Sequence, residues 1–243
     1  MALPALLLTA TIEPGKIPYL KRADPELRRR DYAQAFRRWM THPIENPIVF
    51  CENSGADVSD FDTLARDRRS AAPVEIISFR GQQDVDVRGK GYGELRLIEH
   101  ALESSTILSA APLVMKVTGR LFISNAAEIL NRVDGQSATI FCDLRQNLSV
   151  ADSRVFFATP DFLRDYLFFR AQEIDDLAGV MFETVLARAV HHALSDGSTW
   201  KPLPLSPRWH GLAGTADHPY KSSVADLWRR EIFRALKAGI LKR

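Results

Sequence analysis

The chain has 243 residues, 46% of them hydrophobic and 26% charged, the balance of an ordinary globular protein with room for one large domain and a small appendage. That composition excludes disorder, a collagen-like repeat and a disulfide framework for the bulk of the chain. Its 32 basic and 30 acidic residues leave a formal charge of +2, so no field suited to nucleic acid covers the whole surface, and nucleic acid is not an expected partner.

Strand and helix patterns alternate from the start. The apolar run Leu6 to Ile12 is a first strand. The apolar stretch Ala5 to Leu8 has no basic segment before it and is soon followed by Thr9, Thr11 and Glu13, so it reads as a buried strand rather than a signal peptide. Leu27, Tyr32, Phe36 and Trp39 give Asp24 to Trp39 a helical spacing, beside a basic face of Arg28, Arg29, Arg30, Arg37 and Arg38. Ile48 to Cys51 is a second strand ending at Glu52-Asn53-Ser54-Gly55. A helix over Asp60 to Arg69 and a third strand over Val74 to Phe79 follow. The glycine-bearing segment Arg88 to Gly93 reads as a loop opening onto a helix, Glu94 to Ser104. Leu113 to Val117 is a fourth strand closed by Thr118-Gly119-Arg120, and Ala126 to Val133 is a short helix. Strands over Thr139 to Leu144 and Val155 to Ala158 are followed by helices over Phe162 to Phe169 and Gly179 to Leu194. The proline-bearing stretch Trp200 to Pro219 shows no periodicity, and Val224 to Leu241 has the pattern of a basic amphipathic helix. Repeated β-then-α order predicts an α/β sandwich with a largely parallel sheet. Cys51 and Cys142 each sit in an apolar run, which predicts two buried, reduced thiols and a cytoplasmic protein.

Ligands in open α/β sheets collect at the carboxyl ends of the strands, so the polar residues there are the candidates. They are Glu13, Glu52, Asn53, Ser54, Arg80, Lys116, Arg120, Asp143 and Arg145. Gly89-Lys90-Gly91-Tyr92-Gly93-Glu94 lacks both the dinucleotide G-x-G-x-x-G spacing and the Walker ending, yet it offers backbone N–H groups and a lysine to an anion, with Tyr92 able to stack on a base. Its bland reading is a turn whose glycines permit positive φ. Lys116 is a lysine inside an apolar strand, a costly position unless its ammonium finds a partner. It either joins Arg120 in neutralising a diphosphate or pairs with Asp143 on a neighbouring strand. Asp152 fits a hydrogen-bonded corner. Glu183 is either a surface carboxylate or a buried acid suited to proton abstraction. His191 and His192 are adjacent and diverge on a helix, so no metal motif is formed, while His210 and His218 could close over a ligand.

The strings Glu52-Asn53-Ser54-Gly55, Gly89 to Glu94 and Lys116-Val117-Thr118-Gly119-Arg120 together resemble bacterial GT-A-type glycosyltransferases of capsule or O-antigen synthesis, over roughly residues 5 to 190. The resemblance implies a Rossmann-like, three-layer GT-A sandwich over residues 1–199, with residues 200–243 as an irregular covering segment and a helical extension. It implies a nucleotide-sugar donor held by Glu52, Asn53, Lys90, Gly91, Tyr92, Gly93, Glu94, Lys116, Gly119, Arg120 and Asp143. Glu183 or Asp152 would be the base toward a glycan or lipid-linked acceptor, and inversion and retention both stay open. Residues 224–243 would either contact the inner face of a membrane or pack on the core. Such enzymes usually carry an Asp-x-Asp that holds magnesium or manganese at the end of the fourth strand. This sequence has Lys116 to Arg120 there, and Asp84-Val85-Asp86 falls one element too early. Two cations would then replace the metal, or Asp143 would supply a single ligand. A magnesium-dependent nucleotidyltransferase and a non-catalytic binding protein are the rival readings.

Overall fold

The computed structural model describes residues 2–15, 20–134 and 136–212. In chain order its elements are β1 (Ala5–Ala10), α1 (Pro25–Thr41), β2 (Ile48–Glu52), α2 (Ser59–Ala65), β3 (Val74–Ser78), α3 (Val85–Arg88), α4 (Lys90–Ser104), α5 (Thr106–Ala110), β4 (Val114–Thr118) and β5 (Phe122–Ile123). Then come α6 (Ala126–Asp134), β6 (Ile140–Phe141), β7 (Leu144–Arg145), β8 (Val150–Ala151), β9 (Val155–Ala158), α7 (Pro160–Phe162), a π-helical turn (Leu163–Leu167), a 3-10 helix (Phe168–Glu173), α8 (Phe182–Ser195), β10 (Trp200–Lys201) and β11 (Trp209–His210).

Seven strands form one sheet in the order β10-β6-β9-β4-β1-β2-β3. β1 pairs in parallel with β2 and β4, and β2 with β3. Only β9 runs against its neighbours, being antiparallel to both β4 and β6. The first three strands step outward on one side of β1 and the fourth returns to its other side, which makes the β1/β4 junction the topological switch point.

Both faces of the sheet are covered, which is why its strands read as unbroken apolar runs. Along β1 the side chains alternate: Ala5 and Leu7 join the core under α4, α5 and α8, while Leu6 and Leu8 join the core under α1, α2 and α6. The second core is aromatic, with Phe50 stacked on Phe61 at 4.4 Å and Phe36 edge-on to both. The molecule is thus a mixed α/β three-layer sandwich around a mostly parallel sheet. α1 starts as its sequence suggests, with Asp24 accepting from the Leu27 N–H and Pro25 at the first helical position.

Several boundaries differ from the sequence reading. The glycine segment is not a loop: α4 already begins at Lys90, preceded by the short α3. The expected strand over Thr139 to Leu144 stops at Phe141. Leu144–Arg145 instead starts a hairpin with Val150–Ala151 through a turn in which Gln146, Asn147 and Leu148 all have positive φ. Arg28 is not on a solvated face but is buried, donating to the Thr11 and Arg22 carbonyls and to the Tyr32 hydroxyl. Both cysteines are free and buried, and burial pushes their thiols up. No helix among the described residues is long and apolar enough to cross a membrane. The expected helix over Val224 to Leu241 and His218 lie outside the described residues.

Candidate active-site cleft

A cleft of about 220 Å3 opens at the carboxyl ends of β1 and β4, at the switch point. Ala10 and Thr11 from the end of β1 and Thr118 from the end of β4 form its back. Gly91, Gly93, Glu94 and Leu97 of α4 form one wall, and Asp176, Phe182 and Glu183 close the side toward α8. Its charged groups are of both signs: Arg28, Lys90, Arg120 and Arg154 against Glu94, Asp176 and Glu183.

Lys116 lies beneath this cleft rather than in it. Strand alternation turns its side chain toward α4, where it is fully buried and paired with Glu94. Its ammonium also donates to the Ser153 carbonyl at 2.6 Å and lies 3.4 Å from the Thr118 hydroxyl. Neither sequence expectation holds: the ammonium reaches no ligand space, and its carboxylate partner is Glu94, not Asp143. Ser153 in turn donates from its hydroxyl to Glu183 Oε1 at 2.7 Å. Glu183 sits in the first turn of α8, half-buried and lining the cleft.

Asp152 is excluded as a free base by its partners. It is buried, with Arg145 at 2.6 Å and Arg154 at 2.5 Å on one oxygen and the Arg154 Nε at 2.8 Å on the other. Burial pushes its carboxyl up, but the hydrogen bonds and charge of Arg154, with Arg145, outweigh this and hold it below the usual range. Asp152 is an ion-pair corner, and Arg154, which it orients, lines the cleft while stacking on Trp209 at 4.8 Å.

The start of α4 is bare backbone, and Asp176 is what presses on it. The Gly91 N–H donates to Asp176 Oδ2 at 2.9 Å, so the anion that meets this helix end belongs to the chain itself. Gly89 has φ of +92°, and a Cβ there would lie 2.4 Å from Asp176 Cβ; one on Gly91 would lie 2.8 Å from Asp176 Oδ1. Burial pushes the Asp176 carboxyl up, the carboxylates of Glu183 and Glu94 push the same way, and the Gly91 N–H and Lys90 pull against them. Tyr92 points to the opposite side of α4, under the guanidinium of Arg88, into a separate surface groove with Phe79 and His100. It cannot stack on a base held in the switch-point cleft.

Three further expected contacts are structural. Glu52 is fully buried and accepts from the N–H groups of Ile12, Ser54, Gly55 and Ala56, folding the loop after β2 around its carboxylate. Asn53 accepts from the Thr11 hydroxyl at 2.7 Å and donates to the Gly93 carbonyl at 3.2 Å, tying α4 to the end of β1. Asp143 accepts from the Leu203 N–H at 3.3 Å, away from the cleft. Gly119 lets the chain turn over β1, since a Cβ there would meet the Thr9 carbonyl oxygen at 2.7 Å. Arg120 then reaches the cleft, with its Nε donating to the Leu212 carbonyl at 3.1 Å. Lys90, Gly91, Gly93, Glu94, Arg120 and Glu183 are therefore the sequence candidates that the fold brings together. Asp176, Ser153, Arg154 and Arg28 were missed. Only Ser153 and Arg154 carried a local sign, their place directly after Asp152.

The two adjacent histidines diverge, His191 to the Leu148 carbonyl and His192 to Arg170. His210 lines a small hollow with Arg38 and Phe122 that does not include Glu183, and Arg120 borders both this hollow and the cleft. Among the described residues the cleft carboxylates are not set for a divalent ion: Glu94 is engaged by Lys116, Asp176 accepts from the Gly91 N–H and Glu183 from the Ser153 hydroxyl, and Asp84 and Asp86 are exposed outside the cleft. Among the described residues no group of three or more His, Cys, Asp or Glu is arranged to hold a metal.

No protein-family model matches the sequence, and no curated protein matches it. Solved structures do resemble the fold. One assigned as a nucleotide-diphospho-sugar transferase from Desulfovibrio desulfuricans G20 superposes with a TM-score of 0.48 at 13% identity, over 84% of this chain and 80% of that one. Mouse xyloside xylosyltransferase 1 in its apo form gives 0.47 at 12% identity, over 82% and 84%. A cytidylyltransferase from Leptospira borgpetersenii serovar Hardjo-bovis gives 0.46 at 13%, over 85% and 78%. At such scores and identities the chemistry of the cleft has to be read from its own residues.

Proposed function

We propose that this chain is a GT-A-type glycosyltransferase that moves a sugar from a nucleoside-diphosphate donor to a hydroxyl of a glycan acceptor. The observation that carries the reading is the cleft at the β1/β4 switch point, whose lining brings Lys90 and Arg120 together with the carboxylate of Glu183 around space for a ligand. Lys90 and Arg120 bind the diphosphate and stabilise the charge that grows on it as the sugar leaves. Glu183 accepts the proton of the acceptor hydroxyl while that oxygen bonds to the anomeric carbon and the sugar–phosphate bond breaks, its electron pair leaving with the nucleoside diphosphate. One displacement of this kind inverts the anomeric centre. A surface-polysaccharide or lipid-linked acceptor is supported by the sequence resemblance, and the division at residue 199 likewise.

Incubating the protein with a panel of sugar nucleotides and following nucleoside-diphosphate release tests the reaction. Release by the wild type, reduced about 10²–10⁴-fold in Glu183→Gln with melting temperature unchanged, is the expected result. Turnover of nucleoside triphosphates that requires magnesium would instead identify a nucleotidyltransferase, and binding of neither class a non-catalytic protein.

A further inference from the structure

A chain of polar contacts runs from Lys116 below the cleft into its walls, joining β4, α4, the β8–β9 turn and α8, and the transfer reaction does not by itself call for it. The fully buried Lys116 ammonium has three N–H donors, and three acceptors surround it: the Glu94 carboxylate, the Ser153 carbonyl and the Thr118 hydroxyl. Burying an ammonium costs several kcal/mol unless its protons are satisfied, so this full set is a built feature of the fold. Its consequence is felt at Ser153. The backbone of that residue is pinned by the 2.6 Å bond to Lys116, and the residue is only 5% exposed, which leaves the hydroxyl little freedom. It donates to Glu183 Oε1 at 2.7 Å, across thirty positions of sequence.

We propose that Ser153 is a positioning residue for Glu183, held on target by Lys116; this deepens the reading of Glu183 as the base and rests on it. With Oε1 engaged by Ser153, Oε2 is the atom that takes the acceptor proton. The other charged groups sharing the cleft with Glu183 are Asp176 from the turn before α8, Lys90 and Glu94 from α4, Arg120 after β4, Arg154 next to Ser153, and Arg28 from α1. None of them has the hydroxyl's direct bond to Oε1 among the described contacts.

Two measurements on the full chain test this. In Ser153→Ala, kcat for donor consumption should fall roughly 10–100-fold with the donor KM unchanged, and Ser153→Thr should restore it. Independently of turnover, the 13C resonance of the Glu183 carboxyl carbon, assigned by its loss in Glu183→Gln, should sit at a different position in Ser153→Ala than in the wild type at the same pH, because the hydroxyl bond to Oε1 is gone. Identical resonances in the two proteins overturn the proposal. A moved resonance in a protein that consumes no sugar nucleotide leaves the positioning intact and removes the transferase reading instead. Should the alanine variant fail to fold, Ser153→Cys keeps the side-chain size and weakens the donor, and gives the same comparison.

Discussion

At the scale of single residues, the charged groups of this protein divide by what they touch. Lys116 is a stability residue: Lys116→Met leaves the half-buried Glu94 in the cleft wall and the Ser153 carbonyl without their donor, and should cost about 2–3 kcal/mol in urea unfolding. Direct contact with a ligand would instead leave unfolding unchanged. Asp152 and Asp176 carry opposite signs. The Asp152 carboxyl is held low, so its contribution is complete above the unfolded carboxylate value near 3.9 and is lost as pH falls through the lower folded value. Asp152→Asn should therefore be less stable than the wild type by about 2–3 kcal/mol at neutral pH, with the gap closing in acid. The Asp176 carboxyl is pushed up by burial, so ionising it costs the folded state more than the unfolded chain. Asp176→Asn should be at least as stable as the wild type at neutral pH and lose that advantage below about pH 4. Thermal melts from pH 3 to 8 on the three proteins decide both signs.

At the scale of elements, α4 shows what a sequence conveys and what it withholds. Three glycines in five residues announced a special backbone, and the helix that follows was plain from Leu95, Ile98 and Leu102. The occupant of the bare helix end could not be read, because Asp176 comes from 85 positions later and no local pattern ties it to Gly91. The same holds for Lys116: its awkward place in an apolar strand was visible, but its partner depended on which helix covers that face of the sheet. Glu52 and Asn53 look like ligand residues because they are polar at a strand end, yet loop closure and helix tethering account for them. Packing at α4 makes a graded expectation. Gly89→Ala combines a positive φ with a collision against Asp176 Cβ, Gly91→Ala meets Asp176 and Phe182, and Gly93→Ala collides with the flexible end of Val85 while Asn53 stays at ordinary contact distance. Destabilisation should fall in that order within a range of roughly 1–3 kcal/mol, read from chemical denaturation. Equal costs at the three positions would contradict the packing described here.

At the scale of the whole molecule, strand order puts the reaction space where it is. Alternating β and α patterns were enough to foresee a layered, largely parallel sheet, and the switch between β1 and β4 follows from the chain stepping out through β2 and β3 before returning. The reversed β9, the π-helical turn after α7 and the hairpin of β7 and β8 were not legible, because each is set by tertiary pairing rather than by local periodicity. The central claim is that the switch-point cleft receives a nucleoside diphosphate through Arg120. Isothermal titration of a panel of nucleoside diphosphates without divalent ions, into the wild type and Arg120→Ala, tests it most directly. Binding by the wild type, weakened at least about tenfold in the variant with its melting temperature unchanged, is the predicted result. Equal binding by the two proteins, or no binding by either, would contradict it.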